Sequence, residues 1–483
     1  MTQSQNQNEK DQDIPGKKYG KWTLGIRLGG GGNGEVWEAK CGDGSVYAIK
    51  ILKRIKNKGI QRFRAEIDVL SRNTDIIGIV PLIDRHIDAE DIGCTPWYVM
   101  PMGIDFDTYR KERKNAIQLV SAFVELAETI EILHSRNISH RDIKPANLLY
   151  YNGRLCLTDF GLVKYPDRKD ITLKREDVGP KFTMAPEMRR IAEKADGLKA
   201  DVYSFSKTLW IALTNENLCF DGQYSANTII GLGKYHPEQY LSPLENLLVA
   251  ATDNDPMKRP TIGQFRAGLI DWINLNLDFH KRNLTEWFEI QNILFPLASP
   301  KSAEWITPNS IVSILNQVAR SNSLNHMFYP SGGGNTIEKA SLYFDNNMIE
   351  LQVAERMICL LKPRKLTFES FGFDPKWNYF RLEAEEIPPL NIENTVSSDG
   401  IYQALAEVSL GNFTSPDCFE YNEFEGNPLP SSARIVTRYL KGAFVFFCTS
   451  STYNRDTSTY DARHNKMSEL SFREYIARNA KVG

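Results

Sequence analysis

The chain reads as an α+β protein built of two lobes and a further module. Three observations carry that reading. At 483 residues it is too long for one hydrophobic core. Its first hundred residues hold short alternating apolar runs broken by glycine turns, with one helical run among them. Longer helical spacing follows, and the character of the text changes again after about Asn283. A small, mostly antiparallel sheet with one helix (residues 19–100) should precede a larger helical lobe (104–280). A separate α+β module should occupy 285–483.

Hydrophobic residues make up 42% and charged residues 24%, ordinary proportions for a water-soluble globular chain. The formal net charge is -2, so no basic excess asks for a nucleic-acid partner. Seven scattered cysteines, with no Cys-x-x-Cys, fit a reduced cytoplasmic setting and oppose a disulfide framework or a zinc site. No apolar run is long enough to span a bilayer. Residues 1–18 are polar and Gln/Asn-rich and read as a disordered tail.

Trp22 to Leu28 alternates like a strand and runs into Gly29-Gly30-Gly31-Gly32-Asn33-Gly34-Glu35-Val36. Glycines at 29, 31 and 34 let backbone N–H groups approach phosphate oxygens. A dinucleotide fold would place a helix next. Here Val36–Lys40, a Gly42-Asp43-Gly44 turn and Val46–Ile51 form a hairpin instead. Lys50 lies at its end. Ile60, Phe63, Ile67 and Leu70 then recur at helical spacing, with Glu66 on the edge of the apolar face. A carboxylate there needs a cation, and Lys50 is the natural partner. Val80–Asp84 and Trp97–Met100 read as two more strands, and Leu119 to His134 as a long amphipathic helix.

That helix leads into His140-Arg141-Asp142-Ile143-Lys144-Pro145-Ala146-Asn147. An Asp, a Lys two places on and an Asn five places on project from one short loop. Phosphoryl transfer from a metal nucleotide needs that set: a carboxylate for the attacking hydroxyl, a cation for the moving charge, and an amide for a metal ion. A short strand then ends at Asp159-Phe160-Gly161, and Ala185-Pro186-Glu187, Asp201 and Arg259 follow in order.

From Gly29 to about Thr261 this ordered set resembles the protein kinase family, in its Ser/Thr branch of the eukaryotic-like kind found in bacteria. The resemblance implies an ATP-dependent enzyme that phosphorylates Ser/Thr hydroxyls of proteins, itself included, with Mg²⁺ (or Mn²⁺ in its place) as cofactor. It implies that Gly29, Gly31, Gly34 and Val36 roof the nucleotide, while the backbone of Pro101 and Gly103 faces the adenine. Lys50, oriented by Glu66, would hold phosphates. Asp142 would position the acceptor and Lys144 would stabilise transferred charge. Asn147 and Asp159 would bind the metal. Asp201 would fix the catalytic-loop backbone, and Arg259 would pair with Glu187. Pseudokinases fail at Lys50, Asp142 or Asp159, and all three stand here.

One departure falls in the segment between Gly161 and Ala185. Pro180 stands where the family has a Thr whose hydroxyl bridges the catalytic Asp and Lys. Either another hydroxyl, such as that of Thr183, substitutes, or the loop is arranged differently. Arg141 and Lys164 could form a pocket for a phosphorylated Thr172 or Thr183.

Beyond the kinase-like part, Phe265–Leu277 should be a helix and Asp278–Asn283 a polar crossing. Trp287–Leu294 and Ile311–Ala319 should be helices flanking a Pro/Ser stretch from Pro296 to Pro308. Ser341–Phe344, Lys365–Phe368 and Trp377–Leu382 should be strands. Ser432–Ser450 should be a hairpin turning at Lys441-Gly442, and a helix should run from about Ser468 to Ala480. Ser331–Asn335 reads as a plain loop, since no Lys-Ser/Thr follows it. No repeat, heptad run or metal-ligand spacing occurs in the sequence of this region. Two competing readings follow from it: a nucleotide-binding scaffold acting through the module, or a stress or phage-defence kinase with the module as sensor.

Overall fold

The computed structural model describes residues 15–30, 34–52, 57–87, 95–112, 115–165, 182–190, 194–321, 326–345, 347–354, 357–370, 377–420, 427–428, 432–447 and isolated positions between 470 and 478. The chain divides into two compact units. The first runs to Pro237 and adds Leu241–Asn274; the second is Glu238–Tyr240 with Leu275–Gly483.

The first unit opens with a six-stranded antiparallel sheet of order β1-β2-β3-β4-β6-β5. Its strands are β1 (Lys18–Tyr19), β2 (Trp22–Gly30), β3 (Gly34–Lys40), β4 (Val46–Leu52), β5 (Asp84–His86) and β6 (Trp97–Pro101). Helix α1 (Asn57–Arg72) lies between β4 and β5 in sequence. The twofold alternation of strands decides which side chains meet that helix. Ile49, Ile51, Trp97 and Val99 pack with Trp22 and Trp37 on one face. Ala48, Leu52, Tyr98 and Met100 pack with Phe63 and Ile67 of α1 on the other, which is therefore the face of Lys50. The strand expected over Val80–Asp84 begins only at Asp84. Pro81 has no N–H to give a ladder, and the Val80 N–H is taken by the Leu157 carbonyl at 3.0 Å.

A three-stranded sheet of β7 (Ile104–Asp105), β8 (Leu148–Tyr151) and β9 (Arg154–Leu157) stands beside the larger helical lobe. Its helices are α2 (Phe106–Glu112), α3 (Ala116–Ser135), α4 (Pro186–Arg190), α5 (Gly197–Thr214), α6 (Ser242–Ala251) and α7 (Ile262–Leu277). One core runs from Phe63 and Ile67 through Phe123 and Leu126 of α3 to Phe205 of α5 and Phe265 of α7. Asn115 caps α3, accepting from the Ile117 N–H at 2.8 Å, and Asp196 caps α5, accepting from Leu198 at 2.9 Å.

The second unit is richer in strands than the sequence suggests. Its helices are α8 (Phe279–Leu294) and α9 (Pro308–Ala319). The polar crossing expected at Asp278–Asn283 is the first turn of α8, because the Asp278 carboxylate accepts from the Lys281 N–H at 3.0 Å and caps it. The Pro/Ser stretch contains β10 (Ser302–Trp305). Next come β11 (His326–Phe328), β12 (Gly334–Thr336), β13 (Lys339–Leu342), β14 (Ile349–Ala354), β15 (Met357–Leu361), β16 (Pro363–Glu369) and β17 (Tyr379–Ala384). The series continues with β18 (Tyr402–Ser409), β19 (Asn412–Thr414), β20 (Phe419–Glu420), β21 (Asn427–Pro428), β22 (Arg434–Tyr439) and β23 (Gly442–Phe447). Two six-stranded sheets result, β10-β16-β17-β23-β11-β12 and β13-β14-β15-β22-β18-β19. Their facing residues, among them Leu351, Leu361, Phe368, Phe380 and Phe446, share one core with Ile311 and Leu315 of α9.

The hairpin expected over Ser432–Ser450 is corrected outright. β22 and β23 are consecutive, yet they belong to different sheets. At the corner Gly442 has φ 105°, and a Cβ there would lie 2.5 Å from Pro330 Cβ. The chain turns from one sheet to the other instead of folding back on itself. The expected terminal helix falls almost entirely outside the described residues.

Candidate active site

Lys50 lies on β4 directly opposite Tyr98 on β6 and beside Val36 on β3. Its Nζ donates to Glu66 Oε1 at 2.8 Å and Oε2 at 2.9 Å, and pairs with Asp159 Oδ1 at 3.1 Å. Burial would lower the Lys50 pKa, but Asp159 and Glu66 outweigh it and hold the ammonium well above the ordinary value. Burial pushes the Glu66 carboxyl up, with Lys50 pulling the other way. Asp159 is held down against its burial, chiefly by Lys50. The Tyr98 hydroxyl also donates to Glu66 Oε1, at 2.8 Å. Sequence spacing gives Tyr98 no part; only the strand register reveals that it faces the lysine.

The catalytic-loop backbone hangs on Asp201 of α5. Its Oδ2 accepts from the His140 N–H at 2.8 Å and its Oδ1 from the Arg141 N–H at 2.7 Å. Arg141 has φ 65° and Asp159 φ 58°, left-handed conformations that are costly for side chains other than glycine. Lys144 Nζ donates to both oxygens of Asp142, at 2.9 and 3.1 Å. Asn147 Nδ2 donates to Asp142 Oδ2 and to its carbonyl, both at 2.8 Å. The Asn147 amide thus turns its nitrogen to Asp142, which leaves its oxygen for another ligand. Burial pushes the Asp142 carboxyl up, with Lys144 opposing. Asp159 adds to that rise, and Lys144 in turn helps to lower Asp159. The two clusters therefore lie within electrostatic reach of each other.

Of the glycines, Gly34 sits on β3 where a Cβ would meet the Ile51 carbonyl at 2.8 Å. Gly29 has nothing within 4 Å of that position, and Gly31 lies outside the described residues. Pro101 ends β6, paired with Tyr47. A Cβ at Gly103 would lie 3.2 Å from both Leu149 Cβ and the Tyr150 carbonyl, so a larger residue would need its neighbours to give way slightly.

No group of three His, Cys, Asp or Glu side chains able to hold a metal occurs among the described residues. Asp159 and Asn147 offer one carboxylate and one amide oxygen. That set suits a magnesium ion that takes its remaining ligands from phosphates and water, as such ions do in nucleotide sites. The residues therefore fit a metal delivered with a nucleotide.

Thr172 and Pro180 lie outside the described residues. Thr183 is 3% exposed, and its hydroxyl has no hydrogen-bond partner among the described residues. Burial removes it from reach as a phosphate acceptor in this arrangement. Arg259 grips Glu187 through both terminal nitrogens, at 2.7 and 2.9 Å, with its guanidinium 4.8 Å from the Tyr203 ring.

The profile described as Protein kinase domain matches residues 22–268, half of the chain. The chain belongs to the protein kinase family. Serine/threonine-protein kinase STK11 of Gallus gallus is 31% identical over 263 residues, which cover 52% of this chain and 59% of that protein. The Homo sapiens STK11 is 30% identical, with coverage of 52% and 60%. The chain thus spans about three-fifths of the length of these curated relatives. The solved PknI kinase domain of Mycobacterium tuberculosis is 21% identical, with a TM-score of 0.41, covering 54% of this chain and 99% of that one. Members of the family use ATP with a divalent metal. No helix among the described residues is long and apolar enough to cross a membrane.

Proposed function

We propose that this kinase-family chain transfers the γ-phosphate of ATP to serine and threonine hydroxyls of proteins, its own included, with Mg²⁺ as the metal. The observation that carries the reading is a pair of charge clusters, Lys50–Glu66–Asp159 and Lys144–Asp142–Asn147, that lie within electrostatic reach of each other. Bound magnesium-ATP supplies the phosphoryl group, and Asp159 and the Asn147 oxygen are the residues that would hold its metal. Lys50, kept charged by two acids, binds phosphate. The Asp142 carboxylate, its basicity raised by burial, orients the acceptor hydroxyl and takes its proton. Lys144 sits beside that carboxylate to neutralise charge on the group in flight. Positioning and electrostatics account for most of the rate. Lys144 in this loop favours Ser/Thr over Tyr as acceptor. A cytoplasmic setting is part of the proposal, supported by Cys41, Cys156, Cys219 and Cys359 standing as free thiols.

The test is labelled phosphate transfer to self and to a generic protein substrate, with phosphoamino-acid analysis of the product. Asp142→Ala should lower incorporation about 10³-fold while fluorescent ATP analogues still bind. Undiminished incorporation in that variant would overturn the assignment, and phosphotyrosine as the main product would overturn the Ser/Thr specificity.

A further inference from the structure

We propose that Tyr98 is a positioning residue, a strand-borne latch that holds the Glu66 carboxylate, and with it helix α1, in the place that Lys50 requires. The kinetic part of this inference rests on the function proposed above; the structural part does not.

The geometry is specific. Lys50 and Tyr98 are directly opposed in the β4–β6 pair, so their side chains leave the sheet on the same face. Phe63 and Glu66 are three residues apart on α1 and so share one side of the helix. The Phe63 ring lies 5.4 Å from the Tyr98 ring, tilted by 46°. The Tyr98 hydroxyl, just beyond, reaches Glu66 Oε1 at 2.8 Å. Helix and strand therefore meet through an apolar contact and a hydrogen bond made by the same two-residue edge.

The division of labour within the cluster gives the contact its meaning. Lys50 also contacts Asp159 at 3.1 Å, and a phosphate in the cleft would compete for the same ammonium. The bond from Tyr98 faces no such competition, because Tyr98 and Glu66 are each 1% exposed. A buried phenol next to a carboxylate stays protonated and can only donate. Tyr98 is itself fixed to Lys50 by the register of two central strands. It thus ties α1 to the sheet from the strand side, whatever Lys50 is holding. Removing the hydroxyl leaves a buried carboxylate oxygen one donor short, and outward movement of the helix would relieve that shortage.

Tyr98→Phe keeps the ring on Phe63 and removes only the donor. In the nucleotide-free full chain, amide hydrogen exchange over Ile60–Leu70 should quicken severalfold, with the buried helix α5 unchanged. Phosphoryl transfer should fall about tenfold in kcat, the size of one hydrogen bond to a charged group. That loss should largely vanish when Tyr98→Phe is placed in a Glu66→Ala background, because the hydroxyl then has no acceptor to hold. Phe63→Leu loosens the same packing without touching the hydroxyl, and its loss should persist in that background. Unchanged exchange in α1, or an equal kcat loss with and without the Glu66 carboxylate, would overturn the proposal. If the wild-type chain transfers no phosphate, the functional reading fails, and the exchange comparison still decides the latch.

Discussion

Each unit of this protein holds a cation between two carboxylates, Lys50 buried and Arg434 partly exposed, and the two clusters differ in how their partners are supplied. In the second unit Arg434 binds Glu350 through both terminal nitrogens, at 2.8 and 3.1 Å, and Glu407 through Nε at 2.9 Å. Glu407 also takes the Tyr343 hydroxyl and the Gly411 N–H. The three charged residues stand on strands β14, β18 and β22 of one sheet, and the two further donors come from the end of β13 and the β18–β19 turn. In the first unit the carboxylates around Lys50 come from a helix and from a loop residue with left-handed φ, and the Asp159 side chain stays 37% exposed. The Asn147 amide nitrogen is committed to Asp142, which turns its oxygen away from that carboxylate. A structural cluster finishes its own hydrogen bonds; a working one leaves some for a visitor, and that difference separates the two on physical grounds.

The contrast can be tested by removing each cation. Arg434→Met strands two carboxylates, one of them 2% exposed, and should cost the second unit on the order of 3–5 kcal/mol in denaturant unfolding. Lys50→Met should cost roughly half as much, about 2 kcal/mol, while abolishing phosphate transfer. Burial already pushes the Glu66 carboxyl toward its neutral form, so neutralising it is cheaper. Equal losses would erase the distinction between structural and working clusters.

Another buried cation makes no salt bridge among the described residues. Lys207 of α5 is 1% exposed, donates to the Phe220 carbonyl at 2.7 Å and lies 3.7 Å from the Phe220 ring. Burial lowers its pKa from 10.5 to about 8. The unfolded chain thus binds the extra proton between those values, so this lysine's contribution to stability rises with pH across the window from about 8 to 10.5. The full change is on the order of 3 kcal/mol. Unfolding free energies of the wild type and Lys207→Met should therefore diverge in the wild type's favour as pH climbs from 8 to 10.5. Parallel pH profiles would show that the amine is already discharged or well solvated.

The smallest effects sharpen the reading of the glycine run. Gly34→Ala drives a methyl against the Ile51 carbonyl and should cost about 1–3 kcal/mol. Gly29→Ala meets open space and should shift stability by less than about 0.5 kcal/mol. A loss of nucleotide affinity in Gly29→Ala without a loss of stability would mark that glycine as kept for the ligand.

How much of this was legible in the residues divides along the same line. The chemistry of the first unit lies in short motifs whose order and spacing can be read directly, and the described members meet where such chemistry needs them. Tyr98 was not legible, because its importance comes from being opposite Lys50 across a ladder, and register is a three-dimensional fact. In the second unit, strands were recognisable from composition around Lys365 and Trp377, but sheet membership was not. The pattern of β22, two residues and β23 is a hairpin signal, and Gly442 against Pro330 turns it into a corner. Asp278 was legible as a polar residue and not as a cap, since only the start of a helix gives a carboxylate that use.

The placement of β22 and β23 has a consequence for how this chain comes into being. Both are interior strands: β22 lies between β15 and β18, and β23 between β17 and β11. A growing chain that has not yet emerged past Arg434 carries two half-sheets whose middle rows are missing, each offering bare ladder edges to its neighbours. Nearly all of the first unit precedes these strands in the chain and can fold before synthesis ends. Any message cut short ahead of these two strands would therefore yield a folded first unit attached to a sticky remnant, an object for the degradation machinery and not a shorter working protein.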